Sequence, residues 1–194
     1  MKKLLMLIIS SIIMFSIVAC GQTKKAEATH YGVEAKGLYF EELEEMEGYS
    51  DLIIRGERLE EEEAVITLVN GSIASGYTFS KVKILEIYQD DSGEYNVGDE
   101  ITILENEVYD ETNNVVYHIG GYNMMVAGDE YLLFLYPANI EDFEYFVASG
   151  VECGTISLKE DGRQTAYTTR NGNQVIDYSA FQDLWNDAIE KYIK

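Results

Sequence analysis

The chain has 194 residues, 46% hydrophobic and 25% charged, and carries 14 Lys plus Arg against 35 Asp plus Glu, a formal net charge of -21. This length suits one domain, and the composition excludes wholesale disorder, a collagen-like repeat and a polytopic membrane protein. The charge argues against nucleic acid as a partner, because a phosphate backbone is bound by cations, and two Cys with two His are too few for a disulfide scaffold or a structural zinc site without carboxylate help.

Met1-Lys2-Lys3 is a basic start, and Leu4 to Val18 is a 15-residue run interrupted only by the hydroxyls of Ser10, Ser11 and Ser16. A helix crossing the hydrocarbon core needs about 20 apolar residues, and here the chain turns polar at once after Cys20, so the segment reads as a signal peptide. Ile17-Val18-Ala19-Cys20 resembles the bacterial lipobox. That resemblance implies diacylglyceryl transfer to the Cys20 sulfur, cleavage between Ala19 and Cys20, and acylation of the new amine. Two or three chains anchor stably to the extracytoplasmic face of a membrane, where one binds marginally. The expected organisation is a signal peptide at 1–19, a lipidated Cys20 with a flexible tether at 20–30, and a single globular domain at 31–194. The small and polar residues from Gln22 to Ala28 would hold an acidic body away from anionic headgroups.

Phe40, Leu43 and Met46 at three-residue spacing predict a short amphipathic helix stopped by Gly48. Asp51 to Leu59 predicts a strand with a bulge or bend at Gly56, and Ala64 to Val69 a second strand closed by Asn70-Gly71. The four carboxylates Glu60 to Glu63 between them read as a solvated loop or edge. Tyr77 to Tyr88 alternates in the manner of a long curved strand, and the turn residues of Asp90 to Gly93 and Val97 to Asp99 connect it to a strand at Glu100 to Leu104. Val115 to Ile119 is a short strand. Glu130 to Tyr136 is continuously apolar and aromatic, as in a strand buried on both faces, and Pro137, the only proline, is expected to end it. Phe143 to Ala148, Thr155 to Leu158 and Gln164 to Thr168 follow, the last two joined across Glu160-Asp161-Gly162. Phe181, Leu184, Trp185, Ala188, Ile189, Tyr192 and Ile193 fit a core-facing helix with a capping-box pair at Ser179 and Gln182, and Asp183, Asp187 and Glu190 on its polar face disfavour an anionic membrane.

These elements predict a mainly β, β-rich α+β domain: a small antiparallel OB-like barrel with a short N-terminal helix and a C-terminal amphipathic helix. The stretches Ser50 to Glu57, Thr78 to Leu85, Val97 to Ile103 and Ala127 to Phe134 resemble a strand pattern of uncharacterised extracytoplasmic bacterial lipoproteins, and more distantly the netrin-like, OB-fold module of metalloproteinase inhibitors. The resemblance covers roughly Ser50 to Leu158 and concerns structure. In those inhibitors a free N-terminal Cys held by disulfides chelates the target's zinc. Here Cys20 would carry lipid and the disulfide partners are absent, so that activity does not transfer.

The usual catalytic groups are few. His30 reads as a solvated residue near the tether. His118, in Val116-Tyr-His-Ile-Gly-Gly121, is a candidate base or metal ligand, or a strand-end histidine with an ordinary hydrogen bond. Ser72 and Ser75 lack the nucleophile-elbow pattern and read as turn residues. Cys153 is the sole free thiol once Cys20 is a thioether, and without nearby cations inert burial is expected. From Ile84 to Leu158 there are 16 acidic residues and no Lys or Arg. Within that stretch Asp90, Asp91, Glu94 and Asp99 are candidate ligands for a divalent cation, although they lack EF-hand spacing; the other readings are a soluble acidic surface and a basic protein partner. Fifteen tyrosines exceed the needs of one core, so some are expected at the surface. No cofactor motif is present. The expected function is a membrane-anchored, non-enzymatic binding or accessory module, with a hydrolase using His118 and a carboxylate, or an envelope-maintenance lipoprotein, as alternatives.

Overall fold

The computed structural model describes residues 28–69, 72–159 and 181–194. Cys20 and the signal segment, the strand expected at Gln164 to Thr168 with its turn, and Ser179 lie outside them.

The chain is mainly β. Its largest feature is a long hairpin of β2 (Leu52–Val69) and β3 (Ser72–Asp90). Sequence reading splits β2 at Glu60 to Glu63, yet the strand runs through that stretch. Backbone pairing accepts the carboxylate run because the ladder slips there, between Arg58 and Glu61 and again between Glu61 and Glu63, and such irregularities coil a strand without ending it. Ser72 and Ser75 belong to β3 and pair with Val69 and Thr67, so both are strand residues where sequence reading expected a turn. A further shift falls between Arg55 and Gly56. There a Cβ on Gly56 would stand 2.5 Å from Val82 Cγ1, so only glycine lets the crossing strands approach this closely.

β4 (Glu100–Glu105), β7 (Glu130–Ile140) and β8 (Phe143–Ala148) complete a ring with the inner half of that hairpin. β2 pairs with β3 and β7, β3 with β4, β4 with β8 and β8 with β7, so the sheet closes as an OB-like barrel. All of these pairings are antiparallel except the short parallel contact of Ile103 and Leu104 with Phe146 and Val147. β9 (Thr155–Ser157) adds to the first half of β7. Pro137 does not end β7, which continues to Ile140. Beyond Leu135 the strand has left both β2 and β9 and keeps only β8 as a partner, so a residue without an N–H is tolerated there.

Strand β7 is buried on both faces, and that divides the core in two. Tyr131, Leu133 and Leu135 point into the barrel with Leu52, Ile54, Val82, Ile84, Ile101 and Ile103. Leu132, Phe134 and Ile53 point outward, where Met46 of α1 (Leu43–Gly48) and Leu184, Trp185 and Ala188 of α2 (Gln182–Tyr192) cover them. Helix α1 begins after Phe40, with Glu42 as its N-cap. Helix α2 has Phe181 as its N-cap, with no hydrogen bond from that side chain, and the expected capping-box partner Ser179 lies outside the described residues. Lys191 reaches Glu47 at 2.6 Å and Tyr192 donates to the same carboxylate at 2.8 Å, tying the two helices together.

A second, three-stranded sheet lies against the outer hairpin: β1 (Thr29–Val33), β6 (Val115–Ile119) and β5 (Glu107–Asp110), with β6 in the middle. Sequence reading finds β6 alone, because β1 overlaps the stretch read as a tether and β5 has only four residues. Gly76 lets Val108 of β5 pack onto β3, a Cβ there being 2.5 Å from Val108 Cγ1, and the Thr78 hydroxyl donates to the Glu107 carbonyl at 2.8 Å.

Candidate functional site

A cleft of about 690 Å³ opens where the start of β2, the turn after β3, β4 and the β7–β8 hairpin meet. Among the described residues its lining includes six carboxylates, Asp51, Asp90, Asp91, Glu94, Glu100 and Glu144, and no Lys or Arg. Tyr95, Tyr145 and Phe146 form its aromatic wall. Tyr95 meets Phe146 edge-on at 5.5 Å between centroids. Tyr145 continues into a surface cluster, edge-on to Phe79 at 5.1 Å and stacked on Phe143 at 6.1 Å. Phe143 is 46% exposed. The Tyr95 hydroxyl titrates above the ordinary tyrosine value, first because it is partly buried and then because Glu144, Glu94 and Asp90 oppose a further negative charge. The cleft is therefore a region of negative potential with apolar, polarisable walls.

The carboxylates differ in what they are free to do. Asp90 organises its own turn: one oxygen accepts from the Ser92 and Gly93 N–H groups and the Ser92 hydroxyl, the other from the Tyr95 N–H at 3.0 Å. Burial raises its pKa, but those donors outweigh burial, so the group titrates below the ordinary carboxylate value. Asp99 is absorbed likewise by Asn96, whose backbone N–H it receives at 2.8 Å, and it does not line the cleft. Asp91 and Glu94 are exposed. The four candidate metal ligands are thus spread along one turn, and among the described residues no group of three or more His, Cys, Asp or Glu side chains converges to hold an ion. The expected exposed acidic face around this turn is present, concentrated in the cleft.

His118 is elsewhere, at the junction of barrel and second sheet. Its ring is 1% exposed. Nδ1 lies 2.8 Å from Glu107 Oε2 and 3.0 Å from the Tyr122 carbonyl oxygen, and Nε2 lies 2.8 Å from Nδ1 of His30. His30 is exposed, as expected, but belongs to strand β1 and not to a loop, its ring nearly parallel to that of His118 with centroids 5.1 Å apart. Parallel pairing of β1 with β6 brings the rings together from positions 88 residues apart. His118 touches an acid, as a general base would, but inside the protein and away from the cleft.

Beside this pair is a buried Glu105, which sequence reading misses. Its Oε2 accepts from the Met125 N–H at 2.7 Å and the Tyr122 hydroxyl at 3.1 Å, and its Oε1 faces Arg58 Nε at 3.7 Å. Complete burial pushes its pKa up to about 7, against the lowering influence of Ser80, the Met125 N–H, Arg58 and Tyr122. Glu107 receives the neighbouring Met124 N–H at 3.0 Å, so adjacent carboxylates hold successive amides of one loop. The strand spacing of Glu105 and Glu107 was the available signal, but nothing local marks which acids turn inward.

Cys153 is fully buried in the turn before β9, its thiol 3.2 Å from the Gly150 carbonyl oxygen. Burial pushes its pKa up to about 11, so it holds little thiolate at neutral pH. Gly150 adopts φ +72°, and a Cβ there would stand 2.4 Å from the Cys153 sulfur. No protein-family model matches the chain, and no curated protein matches it in sequence.

Proposed function

We propose that the chain is a lipoprotein anchored through acylated Cys20 at the extracytoplasmic face of the cell membrane, with its barrel acting as a non-enzymatic binding or accessory module for a basic segment of a partner protein. The observation that carries this reading is the cleft, whose described lining holds six carboxylates and an aromatic wall and no Lys or Arg, the nearest recorded cation being Lys81, which donates to the lining Thr102 at 2.9 Å. A lysine- or arginine-bearing chain complements that lining in charge, and aromatic faces attract such cations further. The absence of converging ligands among the described residues favours an extended organic cation over a single metal ion. The hydrolase alternative gains little support, because His118 is buried, engaged at both ring nitrogens and outside the cleft.

The test is a titration of the chain with tetralysine at low and physiological salt. Saturable binding is expected that weakens with salt and falls at least tenfold in an Asp91→Lys, Glu94→Lys, Glu144→Lys variant. Equal binding by both proteins defeats the assignment of the cleft. Anchoring is tested separately: the chain should partition into detergent, and Cys20→Ser should move it to the aqueous phase.

A further inference from the structure

We propose that the cleft takes a basic segment as an added β-strand, hydrogen-bonded to the open edge of β4, a mode of recognition that rests on the proposed binding of such a segment there. The barrel wall is thinnest where β4 meets β8. Those strands run parallel and pair only through Ile103 with Phe146 and Leu104 with Val147. The residues that precede these pairs, Glu100, Ile101 and Thr102 of β4 and Glu144 and Tyr145 of β8, line the cleft instead.

Strand register decides which backbone groups face the cleft. The Ile84 N–H donates to the Asp99 carbonyl at 2.9 Å, and β3 and β4 continue without a slip from Lys83 with Glu100 to Thr78 with Glu105. Along a strand in an antiparallel ladder, successive residues aim their N–H and C=O groups to opposite sides. Ile84 is turned to β4, so Val82 and Ser80 are too, and their opposites Ile101 and Ile103 are turned back to β3. Glu100 and Thr102 therefore aim their backbone groups away from β3, to the side of the cleft.

The same count on β8 starts from the Ser149 N–H, which donates to the Phe134 carbonyl at 2.8 Å. With β7 and β8 in unbroken register, Val147 and Tyr145 face β7 and Glu144 faces the cleft. Among the described residues no strand is paired with Glu100 or Thr102 on the cleft side, and the adjoining parallel contact reaches back at most to the Thr102 carbonyl. The N–H groups of Glu100 and Thr102 and the Glu100 carbonyl form a short open edge, and such an edge is a template for a further strand.

Charge selects the occupant. Edge charges keep strands from pairing indiscriminately, and here Glu100 and Glu144 flank the opening with the other four carboxylates of the lining behind them. A second copy of this chain, with a formal net charge of -21, would set these acids against one another, whereas a cationic strand meets opposite charge. A side chain paired with Glu100 lies on the same face as that carboxylate, and the next one lies on the face of Ile101, which belongs to the barrel core with Phe146. Alternating lysine and apolar residues therefore fit both faces. Lys81 and Lys83 belong to β3, across β4 from the cleft, and neither is among its lining residues.

The test uses the full chain, a blocked heptapeptide of alternating lysine and valine, and the same peptide N-methylated at every residue, which keeps its charges and side chains but has no backbone N–H and does not pair as a strand. The unmethylated peptide is expected to bind at least tenfold more tightly. On saturation with it, hydrogen exchange of the Glu100 and Thr102 amides, followed by NMR, should slow at least tenfold, while that of Ile101 and Ile103, which already face β3, stays within twofold. Equal binding of the two peptides without that slowing overturns strand addition and leaves the cleft as a site of charge attraction. Binding of neither peptide defeats the cleft reading itself and this proposal with it. Slow exchange at Glu100 and Thr102 before any peptide is added also overturns the proposal: with a doubled mass in solution the occupant is a second copy, and with a single mass it is the chain itself.

Discussion

The barrel and the three-stranded sheet use the same kind of strand to opposite ends. Where β2 and β7 run side by side, Ile53 and Ile54 of one and Leu132 to Leu135 of the other are all essentially inaccessible, and both faces of the sheet are dry. At the seam with β5 and β6 the inaccessible side chains include, beside Val108, the polar groups of Glu105, His118, Thr78 and Ser80, with Arg58 and Glu107 close to it. Apolar burial is insensitive to pH and accumulates with area. Buried ionisable groups add little net stability, but their contacts change with each proton. Stability should therefore reside in the barrel and pH response in the seam.

The sharpest break of this contrast comes from the dry side. Phe134 packs among Leu132, Ile156 and the residues of α2, and Phe134→Ala should cost about 3 to 5 kcal/mol in urea denaturation, equally at pH 6 and pH 8. On the polar side, Arg58→Met removes the cation facing Glu105 and should cost on the order of 3 kcal/mol at pH 8, where the carboxylate is ionised, and much less at pH 5, where it holds a proton.

The sign for the unmodified protein follows from the Glu105 carboxyl, whose pKa is about 7 folded against an ordinary 4.5. Between those values the folded state binds the extra proton, so this group's contribution falls as pH rises through the window and is constant outside it. Denaturant midpoints at pH 5, 6, 7 and 8 measure the slope, which should steepen and move upward in pH in Arg58→Met. A flat profile in both proteins would mean that Glu105 is solvated in the native state. The smallest effect is kinetic: alkylation of Cys153 by iodoacetamide at pH 8 should be at least 100-fold slower than that of a free cysteine and recover in denaturant, because the thiol is both covered and protonated.

Sequence by itself determined the elements whose evidence is local. The continuous apolar run of β7, the bulge at Gly56, the turn into β4 and the face of α2 were all legible, because periodicity and turn chemistry act over a few residues. The barrel class followed from their order. The run Glu60 to Glu63 misled only in suggesting a break between two strands, since a slipped ladder accepts residues that a regular strand disfavours, and Pro137 misled because its cost depends on whether a second strand lies alongside. Only the tertiary structure decided the sites. Which six acids share a cleft, and that His30 meets His118 across 88 residues, depend on strand pairing between distant segments. A carboxylate carries no local mark of whether it will be solvated or buried, and its chemistry is set by the neighbours that the closed barrel brings to it.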